Sequence, residues 1–339
     1  MGNKVIRIVG HSKEMLFPFG ESGPWKLYAD RFIESGFTIA GLEPALEITH
    51  LVAHSHSKKA ILEAERCGVP LSNRILVIWE PAVVDEKVRS KKILKLYGTV
   101  IYASKHWAKE NGEKFFRWPQ SIENFEEIAF EDWKNRENSA VMIQANKYSI
   151  HKDEMYSLRR AVIKEFDDSS QCLALYGSHW DAGIAYNLRS WIASSRRIRF
   201  INWNLNTCKY SVTKYLNYLG KVGNKNEINS RYRISIVIEN SLDYVSEKLF
   251  DASAAGTYVV YLGPDLKQFD LDSSQLNNAP RDAAGIKEIV NNFLARSSFA
   301  QYELMSLQRD SIINDFRNHD NNRVLAELAA HTISSFEDD

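Results

Sequence analysis

The sequence predicts an α/β protein made of two consecutive domains, each built on a parallel sheet. Three observations carry this. Short β-branched runs alternate with stretches of helical spacing, the pattern of a parallel sheet with crossover helices. The alternation starts afresh near Val141, after a charged stretch poor in apolar residues. The length of 339 residues suits two domains of roughly 150 residues each. The expected division is 1–135 and 136–325, with a helical tail to 339.

In the first half the strand candidates are Val5 to Val9, Phe37 to Ala40, Thr49 to Ala53, Arg74 to Trp79 and Thr99 to Tyr102. Helical spacing lies between them over Ala60 to Cys67 and Lys87 to Leu96. Glu131 to Ser139, EDWKNRENS, reads as the linker. Val141 to Gln144 then opens the second half as a strand. Asp153 to Phe166 reads as an amphipathic helix and Cys172 to Tyr176 as a strand closed by Gly177.

The most informative stretch is Tyr232 to Pro264, YRISIVIENSLDYVSEKLFDASAAGTYVVYLGP. Ile234, Ile236, Val237 and Ile238 form a buried-strand run that Glu239-Asn240-Ser241 interrupts. Asp243 is the expected N-cap of a helix from Tyr244, and Gly256 the left-handed residue that ends it. Tyr258 to Leu262 return as a strand. Such a βαβ unit puts its first turn at the carboxyl edge of the sheet, where ligands bind. Asn240, Tyr244, Glu247 and Lys248 gather there, at a helix head that favours anions. Further helices are expected over Ala284 to Ala295 and from about Ala300.

Composition narrows the classes. Lys+Arg and Asp+Glu are both 43, so net charge offers no electrostatic case for nucleic acid as the partner. Cys67, Cys172 and Cys208 are widely spaced and odd in number, which gives no disulfide framework and points to a reducing compartment. No run approaches the ~20 apolar residues of a membrane span. MGNKVIRIVG enters a strand with no signal-peptide core, and position 6 is Ile where a myristoylation signal has Ser or Thr. The expectation is a cytoplasmic protein, at most peripheral to a membrane.

The string ENS…DYVSEKLFDA…AGT.VVYLG resembles the signature of the family 10 glycosyltransferases, the inverting α-1,3/1,4-fucosyltransferases. The likeness covers about thirty contiguous residues, including the Glu-Lys pair after Tyr-Val-Ser. It implies the GT-B architecture: two Rossmann-like domains with parallel sheets facing a cleft, acceptor domain first and GDP-sugar domain second. With no apolar span in the sequence, the expectation is a soluble bacterial- or viral-type member without the Golgi anchor common in animal relatives. The family match puts Asn240 and Tyr244 on the nucleotide and Glu247 near the sugar and ribose, while the charge of Lys248 at the helix head makes it a candidate for the diphosphate.

The segment EMYSLRRAVIKEF resembles the family's YSLRR-like helix start, and the match gives Arg159, beside Arg160, as a second grip on the diphosphate. Arginine suits this role because its planar fork chelates phosphate oxygens. LALYGSHW resembles the family's DLYGRGW with two departures: Ala174 stands for the aspartate, and Ser178-His179 for Arg-Gly. Trp180 reads equally as a donor wall or as core. Lys225 and Tyr232, in the approach to the signature strand, are candidates for the guanine pocket.

Inverting transfer also needs a base for the acceptor hydroxyl. Glu80, in RILVIWEP, resembles the ESP-type motif whose glutamate is that base, and would project at the carboxyl edge of its strand. The alternative is a structural carboxylate capping the helix over 87–96. Where some bacterial members carry a carboxylate after the next strand, this chain has Lys105 and His106, and His106 is a candidate acceptor contact. His54-Ser55-His56 lacks a third metal ligand, and Asp270-Leu271-Asp272 mimics a metal motif in the wrong place.

The expected function is therefore fucose transfer from GDP-fucose to a hydroxyl of a glycan acceptor. No cofactor or metal is required, with divalent Mn or Mg at most stimulatory. Transfer from another nucleotide sugar, or GDP-sugar binding without turnover, are the alternatives.

Overall fold

The computed structural model describes residues 4–10, 24–41, 47–102, 114–115, 127–167, 173–181, 215, 217–269, 271, 274–276, 280–317 and 321–336. Lys105, His106, Cys172, Cys208, Asp270 and Asp272 lie outside them. Contacts divide the chain into two compact units, 1–121 with 319–339, and 122–318.

The first unit carries a six-stranded sheet of order β2-β1-β3-β4-β5-β6: β1 (Lys4–Val9), β2 (Phe37–Ile39), β3 (His50–Ala53), β4 (Arg74–Ile78), β5 (Thr99–Tyr102) and β6 (Lys114–Phe115). All neighbours pair parallel, in register Ile6↔His50, Leu51↔Arg74 and Ile75↔Thr99. Burial on both faces explains why β3 and β4 read as unbroken apolar runs. Helices α1 (Pro24–Glu34) and α2 (Lys58–Arg66) are the crossovers around β2 and β3. Arg7 of β1 forks onto Glu63 of α2 at 3.0 and 2.6 Å, fixing that helix to the sheet.

The helix expected over Lys87 to Leu96 breaks into pieces. Helix α3 (Ala82–Asp85), a 3₁₀ turn (Lys87–Arg89) and α4 (Lys91–Leu94) replace it. Ser90 takes extended backbone at ψ 137, and a serine there favours a cap over a helix interior.

The second unit carries a five-stranded parallel sheet of order β11-β10-β7-β8-β9: β7 (Glu137–Ile143), β8 (Leu173–Tyr176), β9 (Tyr218–Gly220), β10 (Tyr232–Ile238) and β11 (Tyr258–Leu262). The chain winds outward from β7 to β9, then returns to the other side of β7 with β10. That reversal is a topological switch point, and the crevice outside the carboxyl ends of β7 and β10 is where such sheets bind ligands. Every residue of β10 and β11 is buried.

The stretch Glu131 to Ser139 is not a linker. It forms α5 (Phe130–Trp133) and the start of β7. Trp133 is buried, and its Nε1 donates to the Gly256 carbonyl at 2.9 Å, while Arg136 donates to the carbonyls of Ala255 and Gly256. These side chains satisfy the open carbonyls at the end of the signature helix. That helix, α8 (Glu247–Ala254), stops where Gly256 turns left-handed at φ 72.

The remaining helices are α6 (Tyr156–Asp167), α7 (Lys225–Asn229), α9 (Ala283–Leu294), α10 (Ser298–Arg317) and α11 (Asn321–Ser334). The last of them leaves the second half and joins the first unit. Leu325, Leu328 and Ala329 pack in one core with Ile6, Tyr28, Phe32 and Val52. None of the described helices is long and apolar enough to cross a membrane.

Candidate functional site

The switch point of the second unit gathers polar side chains at an otherwise apolar sheet edge. Gln144 and Asn146 follow β7, and Glu239 and Asn240 follow β10. The two loops are sewn together: Met155 N–H donates to the Asn240 carbonyl at 3.1 Å, and Leu242 N–H to Asp153 at 3.3 Å.

Arg159, one turn into α6, reaches back into this edge and is 1% exposed. Its Nη2 donates to the Ile238 carbonyl at 2.7 Å and to Asn240 Oδ1 at 2.9 Å, and its Nη1 to the Ala145 carbonyl at 3.4 Å. Burial pulls the guanidinium down to about 10, against the nearby Tyr156 and Glu239, so it stays cationic at neutral pH. Arg159 Nε, Asn146 Oδ1 and Gln144 Oε1 are buried and have no hydrogen-bond partner among the described residues. Three unsatisfied polar atoms at one sheet edge are costly unless a ligand or water meets them. Arg160 turns the other way, donating to the Lys147 carbonyl at 2.6 Å and stacking over Tyr148.

The signature loop departs from the expected geometry at one point. Helix α8 starts at Glu247, and its N-cap is Ser246 rather than Asp243. The completely buried Glu239 holds Ser246 through its N–H at 2.8 Å and its Oγ at 2.6 Å. Asp243 instead accepts from Ser241 Oγ at 2.5 Å within the loop, and Tyr244 and Val245 are buried in the packing beneath it.

Lys248 Nζ donates to Ser246 Oγ at 2.8 Å and lies 3.8 Å from Glu239 Oε2. Burial pushes the Glu239 carboxyl up, opposed by Lys248 and by the Ser246 hydrogen bonds. For Glu247 the balance runs the other way. Desolvation would raise its carboxyl, but Lys248 and Lys225 hold it down at about 2. Lys225 Nζ donates to Glu247 Oε1 at 2.8 Å and to Asp251 Oδ2 at 3.4 Å. These residues border a small cavity whose walls include Gln144, Lys225, Asn229, Lys248 and Asp251.

The other sequence candidates sit in their own local packing. Trp180 is core, 1% exposed, with Nε1 donating to the Gln144 carbonyl at 2.6 Å. Tyr232 is buried against Tyr176, hydroxyl to hydroxyl at 3.3 Å. In the first unit His54 is buried and accepts from Trp79 Nε1 at 2.9 Å, so it serves packing. Among the described residues no group of three or more His, Cys, Asp or Glu is placed to hold a metal. Glu80 is half-buried beyond the end of β4, its carbonyl held by Arg89 Nη2 at 2.6 Å. The turn at 87–89 has Glu86 at its N-cap position without a side-chain cap, and Val88 N–H donates to Asp85 Oδ1 at 3.3 Å.

The structure thus joins Arg159 to Asn240, and Lys248 to Glu247 through their shared charge balance. Gln144, Asn146, Glu239 and Ser246 are further members of this edge; Glu239 and Ser246 lie within the ENS…DYVSEK string, whereas no local pattern marks Gln144 and Asn146. The signal available for Glu239 is a charge placed directly after the apolar run Ile236-Val237-Ile238.

Comparison with solved structures decides the fold. The chain is similar to an α1,3-fucosyltransferase solved with GDP, at 13% identity and a TM-score of 0.57, over 99% of this chain and 91% of that one. It is similar to Anabaena HepE, solved with UDP and glucose, at 10% identity and 0.55, over 98% and 100%. A third is an α-glucosyltransferase in complex with UDP and a 13-mer DNA, at 10% identity and 0.53, over 98% and 99%. The fold is that of the GT-B glycosyltransferases. No protein-family model and no curated protein sequence matches the chain. In GT-B terms the switch point at β7 and β10 belongs to the second of two Rossmann-like units, the half that carries the signature loop.

Proposed function

We propose that the protein is an inverting glycosyltransferase that moves fucose from GDP-fucose to a hydroxyl of a glycan acceptor, in the manner of the α-1,3-fucosyltransferases. The observation that carries this is the buried Arg159, tied to Asn240 at the switch point with Nε, Asn146 Oδ1 and Gln144 Oε1 left without partners among the described residues. The resemblance of the ENS…DYVSEK stretch supports the choice of GDP and fucose.

In this reading Arg159 and Lys248 hold the diphosphate, Asn240 and Tyr244 the nucleotide, and Glu247 the ribose and sugar. Glu80 takes the proton from the acceptor hydroxyl as its oxygen attacks the anomeric carbon. The bond to the β-phosphate oxygen breaks, and GDP leaves with the electron pair while the two cations take up its charge. The scheme needs no cofactor. A divalent Mn or Mg ion would act only on product release. The placement is cytoplasmic.

A second reading keeps the transfer and changes the donor. HepE, solved with UDP and glucose, superposes nearly as well as the fucosyltransferase, 0.55 against 0.57. Calorimetry with GDP, UDP, GDP-fucose and GDP-mannose separates the two. Tighter binding of UDP than of GDP would overturn the GDP-fucose reading. Glu80→Gln is expected to keep GDP affinity and to lose about 10²-fold or more in transfer, the scale of general-base catalysis. No transfer by the wild-type chain to any of a panel of glycans, with GDP-fucose bound, would favour a sugar-nucleotide binder.

A further inference from the structure

The loop leading into α8 holds a buried hydrogen-bond relay that ends on Lys248. Glu239 accepts both the N–H and the Oγ–H of Ser246, at 2.8 and 2.6 Å. With its proton committed to Glu239, the Ser246 oxygen turns lone pairs toward Lys248, whose Nζ donates to it at 2.8 Å. An ammonium has three N–H donors, and this bond uses one.

The relay fixes the far end of a side chain with four rotatable bonds. A lysine already anchored loses little further freedom when a ligand arrives, which strengthens binding without adding a contact. Ser246 is also the N-cap of α8, so the helix head and the ammonium are placed by one residue. Glu239 in turn is 0% exposed, and its two bonds to Ser246 leave that serine one orientation.

We propose that Ser246, fixed by Glu239, is the positioning residue that presents Lys248 to the diphosphate of the donor. This rests on the reading above in which Lys248 holds phosphate. The rival role for the same contacts is structural, with Lys248 serving only to offset the buried charge of Glu239.

Calorimetry with GDP on the full chain separates these, using Ser246→Gly, Ser246→Thr, Lys248→Ala and the double variant Ser246→Gly with Lys248→Ala. Glycine is a tolerated N-cap but lacks the hydroxyl, whereas threonine keeps both functions. Melting temperatures recorded alongside show that each variant is folded. Lys248→Ala and Ser246→Gly are each expected to weaken GDP by about tenfold, the scale of a hydrogen bond to a charged group. Ser246→Thr should bind as wild type, and the double variant no more weakly than Lys248→Ala alone. Wild-type affinity in Ser246→Gly, or multiplied losses in the double variant, overturns the positioning role and leaves the donor site standing. Wild-type affinity in Lys248→Ala overturns the donor-site reading itself.

Discussion

Arg159 and Asn240, far apart in sequence, meet through a 2.9 Å hydrogen bond from Nη2 to Oδ1 at the reversal of the second sheet. The same nitrogen reaches the last carbonyl of β10. One side chain therefore closes the mouth between β7 and β10 and carries a positive charge into it.

A lysine in place of Arg159 has one nitrogen and no planar fork, so it cannot serve Ile238, Asn240 and Ala145 together. Arg159→Lys is expected to cost about 2 kcal/mol, at about 1 kcal/mol per lost hydrogen bond. Urea denaturation measures it, and GDP affinity should fall in parallel. An unchanged midpoint would show that the tie across the mouth is not structural.

Gly177 ends β8 at φ 134, and a Cβ there would run into the Gln144 backbone carbonyl. That close approach brings the β8 loop against β7, where Asn146 N–H donates to Ser178 O at 2.9 Å and Asn146 Nδ2 to His179 O at 3.2 Å. Gly177→Ala combines a forbidden backbone with a backbone clash. It is expected to destabilise by about 2 kcal/mol or more, read as a lower melting temperature. A wild-type melting temperature would contradict the clash.

The strands were legible because parallel strands buried on both faces are rich in apolar residues; the run of Ile234, Ile236, Val237 and Ile238 and that of Tyr258–Leu262 needed no context. Gly256 likewise announced the end of α8, since a left-handed residue is a local matter. The start of α8 was not local. Ser246 wins the cap over Asp243 because Glu239 grips it from the preceding strand end. The supposed linker failed for the same kind of reason: Trp133 and Arg136 find their partners at Ala255 and Gly256. At the site, Arg159, Asn240 and Lys248 were named from the signature, whereas Gln144 and Asn146 were not. A buried amide whose neighbours come from another loop leaves no periodicity to read.

His179 is non-glycine at φ 69, the left-handed region that costs a side-chain-bearing residue about 1 kcal/mol or more. It stands at the second of the two positions where the resembling family has Arg-Gly. His179→Gly is expected to raise stability by about 0.5–1 kcal/mol, with the glycine's greater freedom in the unfolded chain subtracting part of the gain. His179→Val, β-branched at the same dihedral, should lower it. The urea midpoints of the two variants test this directly, and equal midpoints would remove the strain argument.

His50 gives the fold a pH dependence of definite sign. It is buried at the start of β3, with Phe37 and Phe336 edge-on to its ring at 4.9 and 4.7 Å. Burial, reinforced by Lys4, holds its imidazole down at about 4, against about 6.5 in an unfolded chain. Between those values the unfolded chain binds a proton that the folded one refuses. Stability therefore rises with pH across that window, and is lost as pH falls through it. At 1.36 kcal/mol per unit the whole window corresponds to about 3 kcal/mol. Phe336 follows α11, so the first unit's grip on the C-terminal segment should loosen first on acidification. Urea unfolding at pH 4.5 and 7 should show the difference in wild type, and His50→Phe should flatten it. A slope that persists in His50→Phe would assign the acid sensitivity to other groups.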